Sequence, residues 1–365
     1  TREFHGTAYY FKRNEIFNAN EFFRNRDGLP RPSYRFDYPG YNIGGPLYIP
    51  GKFNQDKNKL FFFWSQEFLP RKYPTRVGRL TFPTAAERRG DFSQTLDQNG
   101  RQIVITDPLT RQPFPDNLVP EARIDRSGQR LLEIFPLPNA VDPARSFNNV
   151  FQSTVNQPRD EDILRIDWNI GPKTQFYARG IRNFEAFKGD FNFVLASDVW
   201  PQFPINYSIQ SAGVVSTLIH TFRPNLINEF TFGINRALQL VSPLNQAGLD
   251  KNDRNKLNLN LPQFFPQSNP SKLIPNATFG GVTGAPQLNI EQRYPFFGTN
   301  NIWNWSDNLS WVRGTHNMKF GFYLERTTRN AARATAFNGT FDFGRNVNNP
   351  LDTNYAFSNA LLGVF

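Results

Sequence analysis

Three histidines, a run of carboxylates and a trio of glycines are the residues whose types could do chemistry in this chain. His5, His220 and His316 could ligate a metal or carry a proton. A metal site needs partners at short, regular spacing, and each histidine stands apart on its own predicted strand or turn, so structural roles fit better. Asp160, Glu161, Asp162 and Asp167 could bind a cation or divide acid and base work. Beside Arg159 and Arg165 they fit better as a solvated strand entrance. Asp97-Gln98-Asn99-Gly100 has the start of a calcium loop without the later ligands, which leaves a turn. Gly280, Gly281 and Gly284 do not follow a strand and open a helix, as a phosphate loop would require. No serine sits in a Gly-x-Ser-x-Gly elbow. The chain has no cysteine, which removes thiol nucleophiles, disulfides and Cys-zinc sites. Catalysis, metal and cofactor are therefore not expected.

Two further groups could bind rather than react. Arg123, Arg126 and Arg130 share a short predicted helix and could grip an anion, although a solvated helix face explains them as well. Trp168, Trp303, Trp305 and Trp311 could stack on sugars. They also belong to an alternating pattern that positions them, and that pattern organises the chain.

From 300 to 329 the odd residues Trp303, Trp305, Leu309 and Trp311 fall on one face, interrupted by Asp307. Asn304, Ser306, Asn308 and Ser310 fall on the other. A tight turn at Arg313–Asn317 follows. Alternation then resumes with Met318, Phe320, Phe322 and Leu324 against Lys319, Gly321, Tyr323 and Glu325. Period two on both sides of a glycine-containing turn predicts an antiparallel hairpin with one greasy and one polar face. Similar segments recur at Glu3–Lys12, Arg35–Tyr48, Lys59–Phe68, Ile163–Ile170, Gln175–Arg182, Tyr207–His220 and Ile227–Leu240. Pro39 and Pro46 bend the second of these or confine it to an edge. The 38 Phe, 12 Tyr and 6 Trp favour strands over helices.

The connections are short at Ile49–Asn58, Gly171–Thr174, Thr221–Asn225 and Arg313–Asn317. The others are expected to run to about twenty residues or more, with long loops over about 70–161 and 242–297. In the first loop Asp125 caps a short helix whose Gly128, Leu131 and Leu132, with Phe135, line one side. Ala331–Phe343 would extend the last strand, and Tyr355–Phe365 reads as a small apolar helix. A strict alternation of short and long links through about nine strands suits an up-and-down barrel in an outer membrane, with short turns inside and long loops outside. No run of about 18 apolar residues exists. A mean hydropathy of −0.54 does not oppose a barrel, where only alternate strand residues need be apolar. The net charge of +10 allows anionic partners, and a well-mixed basic surface accounts for it equally.

Several stretches carry a family resemblance. They include Arg13-Asn14, Asn18-Ala19-Asn20-Glu21-Phe22-Phe23, and Gly44-Gly45-Pro46 followed by Lys59-Leu60-Phe61-Phe62-Phe63. Phe82-Pro83-Thr84-Ala85-Ala86, Gly90-Asp91-Phe92-Ser93, Asp107-Pro108-Leu109-Thr110 and Phe135-Pro136-Leu137-Pro138-Asn139 come next. Gly233-Ile234-Asn235-Arg236, Gly314-Thr315-His316 with Lys319-Phe320-Gly321, and Ala360-Leu361-Leu362-Gly363 close the series. In this order the chain resembles the first part of the barrel of TonB-dependent outer-membrane receptors of the Oar-like group. The resemblance implies a parent with a regulatory-like domain, a plug and a barrel of about 22 strands. Residues 1–365 would be an arc of that barrel, without plug or closing strands.

The expectation is thus an all-β, transmembrane, antiparallel up-and-down barrel arc with long extracellular loops, in the outer membrane of a Gram-negative cell. Its parent would take up a large or scarce ligand (a peptide, glycan or chelate), energised through TonB by way of the plug. Outer-membrane lipid is the other expected partner, and nucleic acid is not. Trp303, Trp305, Trp311, Phe320 and Phe322 would face lipid. Lys319, Tyr323, Glu325, Glu229 and Asn235 would face the lumen. A soluble β-rich module for glycan or polyanion is the alternative, and an enzyme on a β scaffold a more distant one.

Overall fold

Nine long strands form one antiparallel meander in a computed structural model, which describes the chain except residues 1, 27, 190–198, 201, 290–293, 295 and 334–336. They are β1 (His5–Arg13), β2 (Arg35–Pro46), β3 (Leu60–Phe68), β4 (Arg159–Gly171), β5 (Thr174–Gly189), β6 (Ile205–Arg223), β7 (Leu226–Pro243), β8 (Phe296–Arg313) and β9 (His316–Arg333). Each pairs with its neighbour in sequence. Two bent extensions continue the wall: Arg71–Pro74 prolongs β3 and Thr154–Gln157 leads into β4. Pro70 and Pro158 mark the two breaks, where a missing N–H interrupts the ladder.

The turns at one end are as tight as alternation requires. Pro172-Lys173, Pro224-Asn225 and Gly314-Thr315 each link two strands. Gly314 adopts φ +59°, a conformation that costs glycine little. The link from β2 to β3 is longer, and one side chain holds it. Asn54 Nδ2 donates to the carbonyls of Leu47 and Leu60 at 2.7 and 3.1 Å, and its Oδ1 accepts from the N–H groups of Asn58 and Lys59.

Most strands run further than their alternation suggested. β5 continues to Gly189 and pairs with Ile205–Ser211, so the connection between them shrinks to 190–204 rather than reaching some twenty residues. β9 ends at Arg333. Thr340–Asp342 does not extend it, but pairs in parallel with Asn276–Thr278.

At the other end most of the long connections do not hang as separate loops, while the β1–β2 link leaves Ile16, Phe17, Phe22 and Phe23 exposed. Segments from 69–158, 202–204, 244–289 and 337–365, with 199–200, fold together into a cap with the molecule's hydrophobic core. Phe82, Phe92, Phe135, Phe279, Phe343 and Phe357 lie wholly inside it. A small sheet joins Val199–Trp200, Gln287–Leu288, Asn276–Thr278 and Thr340–Asp342. The expected helix is present as α1 (Arg126–Glu133), with Asp125 Oδ1 accepting from Gly128 N at 2.7 Å. α1 packs on α2 (Ala356–Leu361), every residue of which is buried. The cap rests on the upper strand ends through Val155, Phe187, Ile205, Tyr207, Val241 and Phe296.

Candidate functional site

Side chains at paired positions of an antiparallel ladder share a face, so the register sorts the whole wall into two surfaces. One surface carries the rows Ile43–Trp64–Leu164–Gly180–Val214–Ile234–Trp303–Arg326 and Gly45–Phe62–Ile166–Ala178–Ser216–Phe232–Trp305–Leu324, apolar but for Arg326 at the end of the first and Ser216 in the second. The next row down adds Leu60, Trp168, Phe176, Leu218, Phe230 and Phe322. Directly above these rows, on the cap side, the same surface becomes mainly polar: Gln66, Asp162, Arg182, Ala212, Arg236, Asn301 and Thr328 occupy a single paired row. From Trp303 to Trp311 the apolar band of β8 spans eight residue steps, about 27 Å along a strand at about 3.4 Å per residue. At a tilt of about 40° that is roughly 21 Å of height, close to the ~25 Å band of a barrel in a bilayer.

The opposite surface is mixed, with charged and amide side chains interspersed among Phe61, Phe63, Ile163, Ile181, Val215 and Ile302. A typical row reads Arg165–Arg179–Val215–Gly233–Asn304–Glu325. Its charges are partly tied up. Arg165 grips Asp167 with two bonds at 2.8 and 2.7 Å and lies 5.0 Å over the Tyr177 ring. Arg159 meets Glu161 at 2.9 Å. Glu325 accepts from Tyr323 and Thr327 at 2.6 and 3.1 Å. Gly213 and Gly233 leave a shallow groove beside Arg179, floored by the amides of Asn235 and Asn304.

The register places the ten residues singled out in the sequence on these two surfaces. Trp303, Trp305, Trp311, Phe320 and Phe322 share the apolar one. Lys319, Tyr323, Glu325, Glu229 and Asn235 share the polar one. Asp307 breaks the apolar face as its position suggests, and accepts from Asn228 Nδ2 at 2.8 Å.

The carboxylate run divides between the faces. Asp160 and Asp162 lie on the apolar-band surface, with Asp162 bound to Arg182 at 2.8 Å, while Glu161 and Asp167 lie behind them. Only two of the three arginines lie on α1; Arg123 falls in the turn before it, and the three point to separate partners: Arg123 to Asp107, Arg126 to Glu121 and Arg130 to the Leu257 carbonyl. His220 shares a hydrogen bond of 2.9 Å with Thr174. Asp97 closes a turn by accepting from Asn99 N and Arg101 N, both at 2.9 Å. Among the described residues no three His, Asp or Glu side chains converge to hold a metal ion.

The cap was the feature least visible beforehand. It carries a polar cavity of about 450 Å³ between Asp107, Arg111, Arg345, Asn348, Asn349 and Asp352. Asp107 and Arg123 form a bidentate pair at 3.1 and 2.9 Å, and the guanidinium holds the Asp107 carboxyl below the usual range against the opposing cost of burial. Tyr355 is buried, which pushes its hydroxyl well above the ordinary value, with the neighbouring Glu87 adding to the rise. The signal that could have found the cap was a set of apolar clusters in all three long segments, each too large to leave in water.

A wall with one apolar band, one face carrying charged and amide side chains, tight turns at one end and long connections at the other is a membrane-spanning β-barrel wall. The comparison with protein families agrees: an outer membrane beta barrel domain matches residues 1–365, and the chain belongs to that family. Its place is therefore the cell outer membrane, and the soluble alternative falls away. No curated protein matches the chain. Among solved structures, the outer membrane transporter YddB from Escherichia coli aligns at 10% identity and a TM-score of 0.38. That alignment covers 89% of this chain and 30% of the transporter's.

Proposed function

We propose that this chain forms wall and cap of an outer-membrane receptor of the TonB-dependent, Oar-like kind, which passes a large or scarce ligand inward. The apolar band meets outer-membrane lipid and the polar surface lines the lumen. A peptide, glycan or chelate would first meet the cap and then the polar wall. Energy would enter through TonB and the parent's plug. The wall and cap bind and guide, and no bond is made or broken in the ligand.

The observation that carries this reading is the single paired row at which the wall turns from apolar to mainly polar, with a folded cap on that side only. An anchor with no transport role would need neither an inner face carrying charged and amide side chains nor a packed cap. The test offers cells that display the full protein a defined mixture of tryptic peptides, oligosaccharides and ferric chelates. Selective depletion of one class, abolished by a protonophore, is expected. Depletion that survives the protonophore would remove the energised step. No depletion by cells with the folded protein at their surface would contradict transport.

A further inference from the structure

The polar row that ends the apolar band is not uniform. Towards β4 its cation is already matched, with Arg182 bound to Asp162 at 2.8 Å. Towards β9 it is not. Arg236 pairs across the ladder with Asn301 in that row, and Arg326 pairs with Trp303 one row below it, so the two arginines flank β8 on the same surface. Both are exposed. Arg326 lies 5.9 Å over the Trp303 ring. Among the described residues neither arginine has a carboxylate partner. Their backbones are two strand spacings and two residues apart, about 12 Å, so heads on long stems can converge over β8.

Two unmatched guanidiniums beside a tryptophan, at the edge of a lipid-facing band, form an interfacial anion site. Tryptophan anchors at the headgroup level. Guanidinium holds phosphate by a planar fork of donors that ammonium lacks. Asn301, beside Arg236 on β8, and Thr328, two residues beyond Arg326 on β9, add neutral polar groups on the same face. The row lies on the cap side, where long connections place the cell exterior.

We propose that Arg236 and Arg326 hold the phosphate of an anionic glycolipid headgroup in the outer leaflet, against the barrel's outer surface. This rests on the assignment of the apolar face to lipid, and is independent of what the lumen carries. Such a lipid would pin the β7–β9 segment in depth and rotation beneath the cap.

The test uses the full protein, delipidated in detergent micelles. Binding is followed by native mass spectrometry with a phosphorylated outer-leaflet glycolipid, the same glycolipid treated with phosphatase, and inorganic phosphate. The phosphorylated lipid should bind best. Arg236→Gln and Arg326→Gln should each weaken it about 5-fold, and the double variant roughly 25-fold. Arg329→Gln, on the polar face, should leave it unchanged. Removing the phosphate should weaken wild-type binding to the level of the double variant. If the double variant fails to insert, the two single variants decide. Binding of the double variant within twofold of wild type would overturn the site. So would equal binding of inorganic phosphate, or equal loss with Arg329→Gln. Loss with Arg329→Gln alone would show reversed faces, which would sink the lumen assignment too. Unchanged lipid binding with intact uptake would sink the lipid site alone.

Discussion

Adding one methyl group at Gly128 tests whether the cap is a packed body or a set of loops. Gly128 sits in the first turn of α1, where it donates to its cap Asp125. A Cβ built there would stand 1.8 Å from the Ala360 carbonyl oxygen and 2.8 Å from its carbon. Both atoms are backbone of α2, and Asp125 N donating to Leu361 O at 2.8 Å locks that register. The two helices must therefore move apart by more than an ångström, which opens the packing of Leu131, Leu132, Phe357 and Leu361. In an isolated helix, glycine to alanine stabilises by about 1 kcal/mol. Overpacking of a core costs about 1–3 kcal/mol and more where backbone cannot yield. Net destabilisation of the cap by roughly 1–3 kcal/mol is expected for Gly128→Ala. Limited proteolysis of the folded protein reads it: cleavage within 69–158 should accelerate about 5- to 100-fold while the wall survives. Gly171→Ala, with nothing within 4 Å of its built Cβ, is the control. A Gly128→Ala cap as resistant as wild type would refute the close helix contact.

Other outcomes follow from the same packing. Phe279→Ala, in the centre of the cap, should cost about 3–5 kcal/mol and expose cap sites to protease without releasing the wall. Phe232→Lys should cost about 2–4 kcal/mol and lower the yield of inserted barrel, while Thr231→Lys beside it should insert normally; equal yields would contradict the two-faced wall. Cap stability should also depend on pH. The Asp107 carboxyl has a folded pKa below its unfolded one, so its contribution is complete above the ordinary aspartate value of about 4 and is lost as pH falls through the folded value. Asp107→Asn should remove that acid-side step in a cap melting curve. At the alkaline end the sign reverses. The folded Tyr355 pKa lies above the unfolded one, so its contribution holds below about 10 and disappears as pH rises further; Tyr355→Phe should flatten that limb.

The wall was legible because each strand must satisfy lipid on one side and water on the other. That demand imprints period two on segments such as 303–311 and 316–324, and short turns such as Gly314-Thr315 punctuate it. Strand ends near the cap were less legible. Residues 183–189 alternate poorly because the adjacent Ala186 and Phe187 are both buried. The cap itself left only local marks: the Asp125 cap and the apolar stripe of α1. Its strands are two or three residues long, and their partners lie far away in sequence, as with Ala277 and Phe341. Such pairings depend on tertiary packing, and no periodicity announces them. The ion pairs were equally hidden, since adjacent carboxylates at 160–162 project to opposite faces only once a strand is formed.

The measurement that bears most directly on the account places single fluorescent probes in the full protein in bilayers. Positions 230, 232 and 322 carry one set, and positions 229, 231 and 323 the other. Quenching by brominated lipid acyl chains should reach the first set and spare the second, with a water-soluble quencher showing the opposite preference. Lipid quenching of 229, 231 and 323, or equal quenching of both sets, would contradict a membrane wall with these two faces.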